Sequence, residues 1–281
     1  MSALDRLRAL PDLQGSTRSA ALLRIGLVVL IWTRLAWPMR PAQALTDPER
    51  LAMGLLFFGS TSAMLVGFHT RIASALTAVS MLLIYYWFGF YRGEEPWTHH
   101  HVYILVIASV LVALTPSGGS YSLDRWREVR AAEAEGRPPT PERGWMWGLV
   151  LIRVQLSALY FWTAFDKTDL AFLSGERLEA VFMTIYLGSD PPAIPAFHAL
   201  CVIMAVSTVL LEYALAFAPW FARWRTPVLL AGVVFHAIIY YSLPVATFTG
   251  TMWLLYLAWY PPDQVHDVLD RLQGATIQPR G

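Results

Sequence analysis

The succession of long apolar runs is what most constrains this chain. A helix rises 1.5 Å per residue, so crossing a bilayer core of about 30 Å takes roughly 20 mostly apolar residues. Eight stretches approach that length: 20–37, 51–68, 72–91, 99–116, 145–165, 196–219, 227–243 and 245–260. The last two are short and separated only by Pro244. Charged residues make up 15% of the 281, against about 25% in ordinary soluble chains. There is too little polar material to wet an outer surface, and the 12 tryptophans and 12 tyrosines suit the headgroup level of a bilayer. The expected fold is an all-α polytopic membrane protein of about eight transmembrane helices, not a soluble globular domain.

No repeat of fixed period stands out, so one membrane domain over 20–260 is expected. A cytoplasmic segment 1–19 precedes it, and a cytoplasmic tail 261–281 follows. Because the chain stops soon after the last span, no large extracytoplasmic domain is expected. The first apolar run carries Arg24 and Arg34 and lacks a small-residue cleavage site, so it does not read as a signal peptide. Cys201 stands alone, which excludes an intrachain disulfide, and a net charge of +1 argues against a nucleic-acid partner.

Positive charge sets the orientation. With a cytoplasmic N-terminus, 13 of the 21 basic residues fall inside, including Arg71, Arg125, Arg143 and Arg271. Only Arg40, Arg50, Arg92, Lys167 and Arg177 fall outside. Both termini and the loop 117–144 are therefore expected inside, and the loop 166–195 outside. Within that outer loop Leu178, Val181, Phe182 and Ile185 recur at i, i+3, i+4 and i+7, the stripe of an interfacial helix too short to span. Residues 123–134 read as a charged, solvated helix after a Ser122 N-cap.

The ionisable residues inside or beside spans need a reason to be there. Lys167 is the one lysine among 20 arginines, at the outer end of the fifth span. Lysine, unlike arginine, can be tuned into a neutral base by desolvation. The bland alternative is a snorkelling lysine paired with Asp166 or Asp169. His99, His100 and His101 open the fourth span on the same side. Successive helical residues turn by about 100°, so three adjacent histidines cannot surround one ion, and no metal site is expected. Arg153 and Gln155 lie within the fifth span, and Arg34, Glu212 and His236 within or near others. Each alone reads as structural pairing, Glu212 with an arginine for example. Together, the histidines, Lys167 and Arg34 describe a polar pocket opening to the outer leaflet, suited to an amphipathic, lipid-soluble molecule.

Several motifs in order resemble a known family. They are Trp97–Thr98–His99–His100–His101–Val102–Tyr103, Tyr121–Ser122–Leu123–Asp124, Arg153–Val154–Gln155 and Tyr160–Phe161–Trp162–Thr163–Ala164–Phe165–Asp166–Lys167. Leu211–Glu212–Tyr213 and Phe235–His236 follow, then the aromatic stretch from Phe248 to Tyr260. The set resembles the vitamin K-dependent γ-carboxylase family, whose bacterial members are often called HTTM-domain proteins. The resemblance covers about residues 20–270. It implies an integral membrane enzyme that oxygenates a reduced naphthoquinone (vitamin K or menaquinol type) with O2, and couples this to CO2 addition at the γ-carbon of peptidyl glutamate. It further implies Lys167 as the base that deprotonates the hydroquinone, with His101 hydrogen-bonded to it. Trp97, His100, Tyr103, Arg34, Arg153, Gln155, Glu212 and His236 make up the expected quinone-binding set. The chain departs from the pattern at Asp166, a carboxylate beside the base, and at Phe172, where tryptophan is common. The setting implied is a bacterial-type inner membrane, with lipid and quinone as partners. A non-catalytic, immunity-type binding protein on the same fold is the first alternative, and a transporter the second.

Overall fold

The computed structural model describes residues 14–40, 47–186, 188, 194–243 and 246–274. Most of the expected N-terminal segment, much of the outer loop between 187 and 193, Pro244 and the end of the tail lie outside the described residues. Helix accounts for 79% of what is described. Among the described residues the strands are only β1 (Gln14–Ser16) and β2 (Arg143–Trp145), paired antiparallel with Gly15 opposite Gly144. The chain divides into two compact units, one running to Arg153 and resuming at Ile238, the other Val154–Ala237.

The first unit is organised around α1 (Arg18–Leu35), which is buried on more than one face, with Ala20, Leu23, Arg24, Leu27, Val28 and Ile31 all enclosed. A helix enclosed on more than one face belongs in a core, and its buried arginine must then find partners. Around it lie α2 (Pro48–Val66), α3 (Thr70–Ile84, continued as a π-helical segment Tyr85–Tyr91) and α4 (His100–Ala113). Helix α3 packs along both α2 and α4. Its buried stripe is small over most of its length, with Thr70, Ala73, Ser74, Thr77, Ala78 and Ser80, and ends on the larger Met81 and Ile84. Small side chains let helix backbones approach closely in lipid, where no hydrophobic effect drives helices together. The turn into α3 needs Gly67, whose φ is +68° and where a Cβ would come 2.3 Å from that of Ser122.

One end of this unit gathers β1, β2, the loop after α4, α5 (Leu123–Ala134) and the C-terminal α12 (Pro262–Leu272). Arg18 pairs with both Glu142 and Asp270, and Arg143 with Asp263 at 3.1 Å. Arg24, fully buried, donates to the carbonyls of Ser117 and Tyr121. The opposite end is clasped by Arg50, which donates twice to Glu94 at 2.7 and 2.9 Å, and by Arg92, which reaches Asp47. Completing the unit, α11 (Ala246–Leu255) packs on α1 and α4 and ends in the 3-10 turn Tyr256–Trp259.

The second unit holds most of α6 (Trp147–Asp166), the short α7 (Leu170–Leu173), α8 (Glu176–Tyr186), α9 (Pro195–Phe217) and most of α10 (Ala222–Ser242). Phe172, Ala205 and Val209 form its core, with Leu173, Leu178 and Tyr213 against them. Gly175, at φ +81°, brings α8 onto α9, since a Cβ there would lie 2.6 Å from the Val202 nitrogen. The expected interfacial helix is α8, but its stripe is divided. Leu178 packs on the core, whereas Val181 and Ile185 stay exposed and Met183 is the buried residue.

Four described helices are long and apolar enough to cross a membrane: Thr70–Tyr91, Trp147–Asp166, Pro195–Trp220 and Ala222–Ser242. The other expected spans fall on weaker helices. Helix α1 carries three arginines, α2 opens on Pro–Glu–Arg, and α4 and α11 have 14 and 10 residues.

Candidate functional site

On α6 the residues Tyr160, Thr163 and Lys167 fall at i, i+3 and i+7, so they share one face of the helix. Each meets a polar partner within the second unit. Tyr160, 1% exposed, shares a 2.7 Å hydrogen bond between its hydroxyl and Nε2 of the buried His236 on α10. The Thr163 hydroxyl donates to the Tyr160 carbonyl at 3.1 Å and lies beside the carboxylate of Glu212 on α9. Lys167 Nζ donates to both oxygens of that carboxylate, at 2.8 and 2.9 Å. Glu212 is 7% exposed at its side chain and Lys167 26%. Beside the pair, the Thr168 and Tyr213 hydroxyls lie 3.1 Å apart. The result is a polar seam with one carboxylate and one amine at its more open end.

This geometry corrects two pairing expectations. Glu212 meets the lysine rather than an arginine. Asp169 is not the lysine's partner either: its carboxylate accepts from the Phe172 amide at 2.7 Å and caps α7. Phe172, where the family pattern has tryptophan, is a buried core residue. Gln155 is half-buried on α6.

The remaining expected residues belong to the first unit. His99, His100 and His101 open α4, with ring centroids 4.3 Å apart between His100 and His101 and 5.6 Å between His99 and His101. His100 also meets the Phe248 ring edge-on at 5.9 Å. Arg34 lies within electrostatic reach of His101. Nδ1 of His101 and Nε of Arg34 are buried, with no hydrogen-bond partner among the described residues. Three others have structural surroundings. Trp97 is buried against Phe88 and donates to Glu94 at 2.8 Å. Tyr103 is 47% exposed and packs at Tyr85. Arg153 donates to the Ala258 carbonyl at 2.6 Å, anchoring α6 to the turn after α11.

Tyr160, Thr163 and Tyr213 complete the seam although their residue types alone did not mark them. Their spacing from Lys167 and Glu212 was the available signal. A family model for the HTTM domain matches residues 43–263, more than half of the chain. The chain is an HTTM-domain protein. This domain is the membrane domain of vitamin K-dependent carboxylase-like proteins. The HTTM match takes in the whole α6–α9–α10 seam and the histidine run, while Arg34 precedes it. No curated protein and no solved structure matches the chain.

Proposed function

We propose that this HTTM protein is a membrane enzyme acting on a reduced naphthoquinone, with Lys167 and Glu212 as the dyad that accepts the hydroquinone proton. The observation that carries the reading is the bond of the chain's one lysine to both oxygens of a buried glutamate. An amine and a carboxylate so joined hold exchangeable protons on one short hydrogen-bonded unit. When a hydroquinone hydroxyl gives its proton to that unit, the dyad gains one positive charge as the quinolate gains one negative charge. In a low-dielectric site the two stabilise each other. Lys167 itself orients the carboxylate, Thr163 lies beside it, and Tyr160 with His236 extends the polar seam inward. Oxygenation then follows the overall stoichiometry hydroquinone plus O2 gives quinone epoxide plus water. Coupling to CO2 addition at a glutamate γ-carbon is the further step that the family reading implies.

The test follows epoxide formation from reduced menaquinone or vitamin K by the purified protein in detergent, with no peptide added. Wild type should turn over. Lys167→Arg should lose at least about a hundredfold, because guanidinium stays protonated near neutrality. Glu212→Gln should lose a comparable factor, with Tm measured for each variant. A structural salt bridge would equally hold the amine on Glu212, which favours a binding protein without turnover as the second reading. That reading prevails if wild type makes no epoxide, or if Lys167→Arg keeps full activity and Tm.

A further inference from the structure

At the arginine-rich end of the first unit, a cavity of about 480 Å³ opens where α3 and α6 begin and α4 ends. It shares no residue with the Lys167 seam. We propose that this cavity binds the phosphate headgroup of an anionic phospholipid, with Arg71 as the anion's principal partner. Its volume lies within the range of small-ligand pockets and exceeds what a bare inorganic anion fills.

The polar wall holds donors that the protein leaves unused. Arg71 is exposed and makes no ion pair or hydrogen bond among the described residues. The Ser74 hydroxyl, one turn further along α3, is 1% exposed and has no hydrogen-bond partner among the described residues. A buried hydroxyl without a partner is costly, so one facing a cavity points to a ligand or water that completes it. Arg143 adds a second guanidinium, shared with Asp263. The wall's one carboxylate, Asp124, is already engaged by the Thr70 amide and hydroxyl and the His69 amide. Its charge reduces the attraction for an anion without removing the unpaired guanidinium.

The rest of the lining decides between a lipid and a free anion. Leu114, Trp145 and Trp147 form an apolar sector beside the arginines, which a bare phosphate cannot use. Both tryptophans are partly exposed, at 49% and 39%, as rings at the headgroup level are. Two of the spanning helices, Thr70–Tyr91 and Trp147–Asp166, start at this cavity, so its mouth lies where lipid headgroups lie. Anionic lipid also concentrates at clusters of arginine on the cytoplasmic leaflet.

The experiment uses the full chain, delipidated in detergent and titrated with phosphatidylglycerol or phosphatidylcholine, with bound lipid counted by native mass spectrometry. Wild type should retain phosphatidylglycerol in preference to phosphatidylcholine. Arg71→Gln should weaken phosphatidylglycerol retention about tenfold, the scale of a charge-assisted hydrogen bond. Ser74→Ala, which changes no charge, should weaken it two- to threefold, on the smaller scale of a neutral hydrogen bond. Arg130→Gln, on the exposed face of α5, should leave it unchanged. Equal retention by Arg71→Gln and wild type overturns the site. An equal loss in Arg130→Gln also overturns it, reducing the effect to general surface charge. Displacement of the lipid by equimolar inorganic phosphate overturns the lipid source in favour of a free anion.

Discussion

Asp124 shows how a single residue can govern an element distant in sequence. It lies at the start of α5, yet its carboxylate accepts from the His69 amide at 2.9 Å and from the Thr70 amide and hydroxyl at 2.6 and 2.7 Å. It therefore caps α3 from another helix, where the first amides of any helix lack partners of their own. Partial burial pushes its carboxyl up, but these hydrogen bonds outweigh burial and hold it below the usual carboxylate range. A depressed folded value means the stabilisation is full above the ordinary range, near 4, and is lost as pH falls through the folded value. Asp124→Asn should cost about 1 kcal/mol near neutrality, and the difference in Tm between wild type and variant should shrink in melts carried below pH 4. A difference that stays constant across that window contradicts the cap. The motif Tyr121–Ser122–Leu123–Asp124 was visible in the sequence, but its purpose was not, because its partners lie more than fifty positions away. Lys167 and Glu212 were legible in the same partial way. Each stood out as an ionisable residue near a span, but nothing local paired them across 45 positions, and Asp166 and Asp169 were nearer in sequence.

Among the elements, the apolar runs were legible as helices, because each expected run overlaps one, but only four of these described helices are long and apolar enough to cross a membrane. Less legible were features set by neighbours: the π-helical end of α3, the three-residue strands, and the direction in which α12 faces. In α12, Asp263, His266, Asp267 and Asp270 form one stripe, and Val265, Val268, Leu269 and Leu272 the opposite one. A soluble protein would turn the apolar stripe inward. Here the polar stripe meets the protein: Asp263 accepts from the Ser16 amide, His266 Nδ1 shares a 2.7 Å hydrogen bond with the Ser16 hydroxyl, and Asp270 pairs with Arg18 and His266. Leu272 is 79% exposed. The orientation follows from Arg18 and Arg143, whose carboxylate partners lie partly on this helix. Asp270→Asn should therefore raise amide hydrogen exchange across α12 about tenfold, with α1 unchanged. Unchanged exchange in α12 would mean that its apolar face holds it in place.

For the molecule as a whole, the first unit brings together at one end the segments that the arginine asymmetry expects on one side. The segments expected inside lie far apart in sequence, yet β1, the loop after α4, α5, β2 and α12 meet at one end, tied by Arg18, Arg125 and Arg143. Hydrogen-bonded polar loops of this kind cannot lie at bilayer depth, so they share one aqueous side. The opposite clasp of Asp47, Arg50, Arg92 and Glu94 occupies the other end. Which side that is remains the expectation of the rule that cytoplasmic loops carry the excess of arginine and lysine, and labelling tests it. Labelling must use exposed positions, and Ser120, whose hydroxyl is buried against Thr17 and Glu142, is not one. Glu133, 60% exposed at its side chain, and Ala171, exposed on α7, serve instead. Single cysteines there, in a Cys201→Ser background that removes the buried native thiol, should be modified by a membrane-impermeant maleimide from opposite sides. Glu133→Cys should react only after the cells are opened, and Ala171→Cys in intact cells. Losing the weak surface pair between Glu133 and Arg130 should not disturb folding. Reaction of both positions in intact cells, or of neither until lysis, would place both loops on one side and overturn the arrangement.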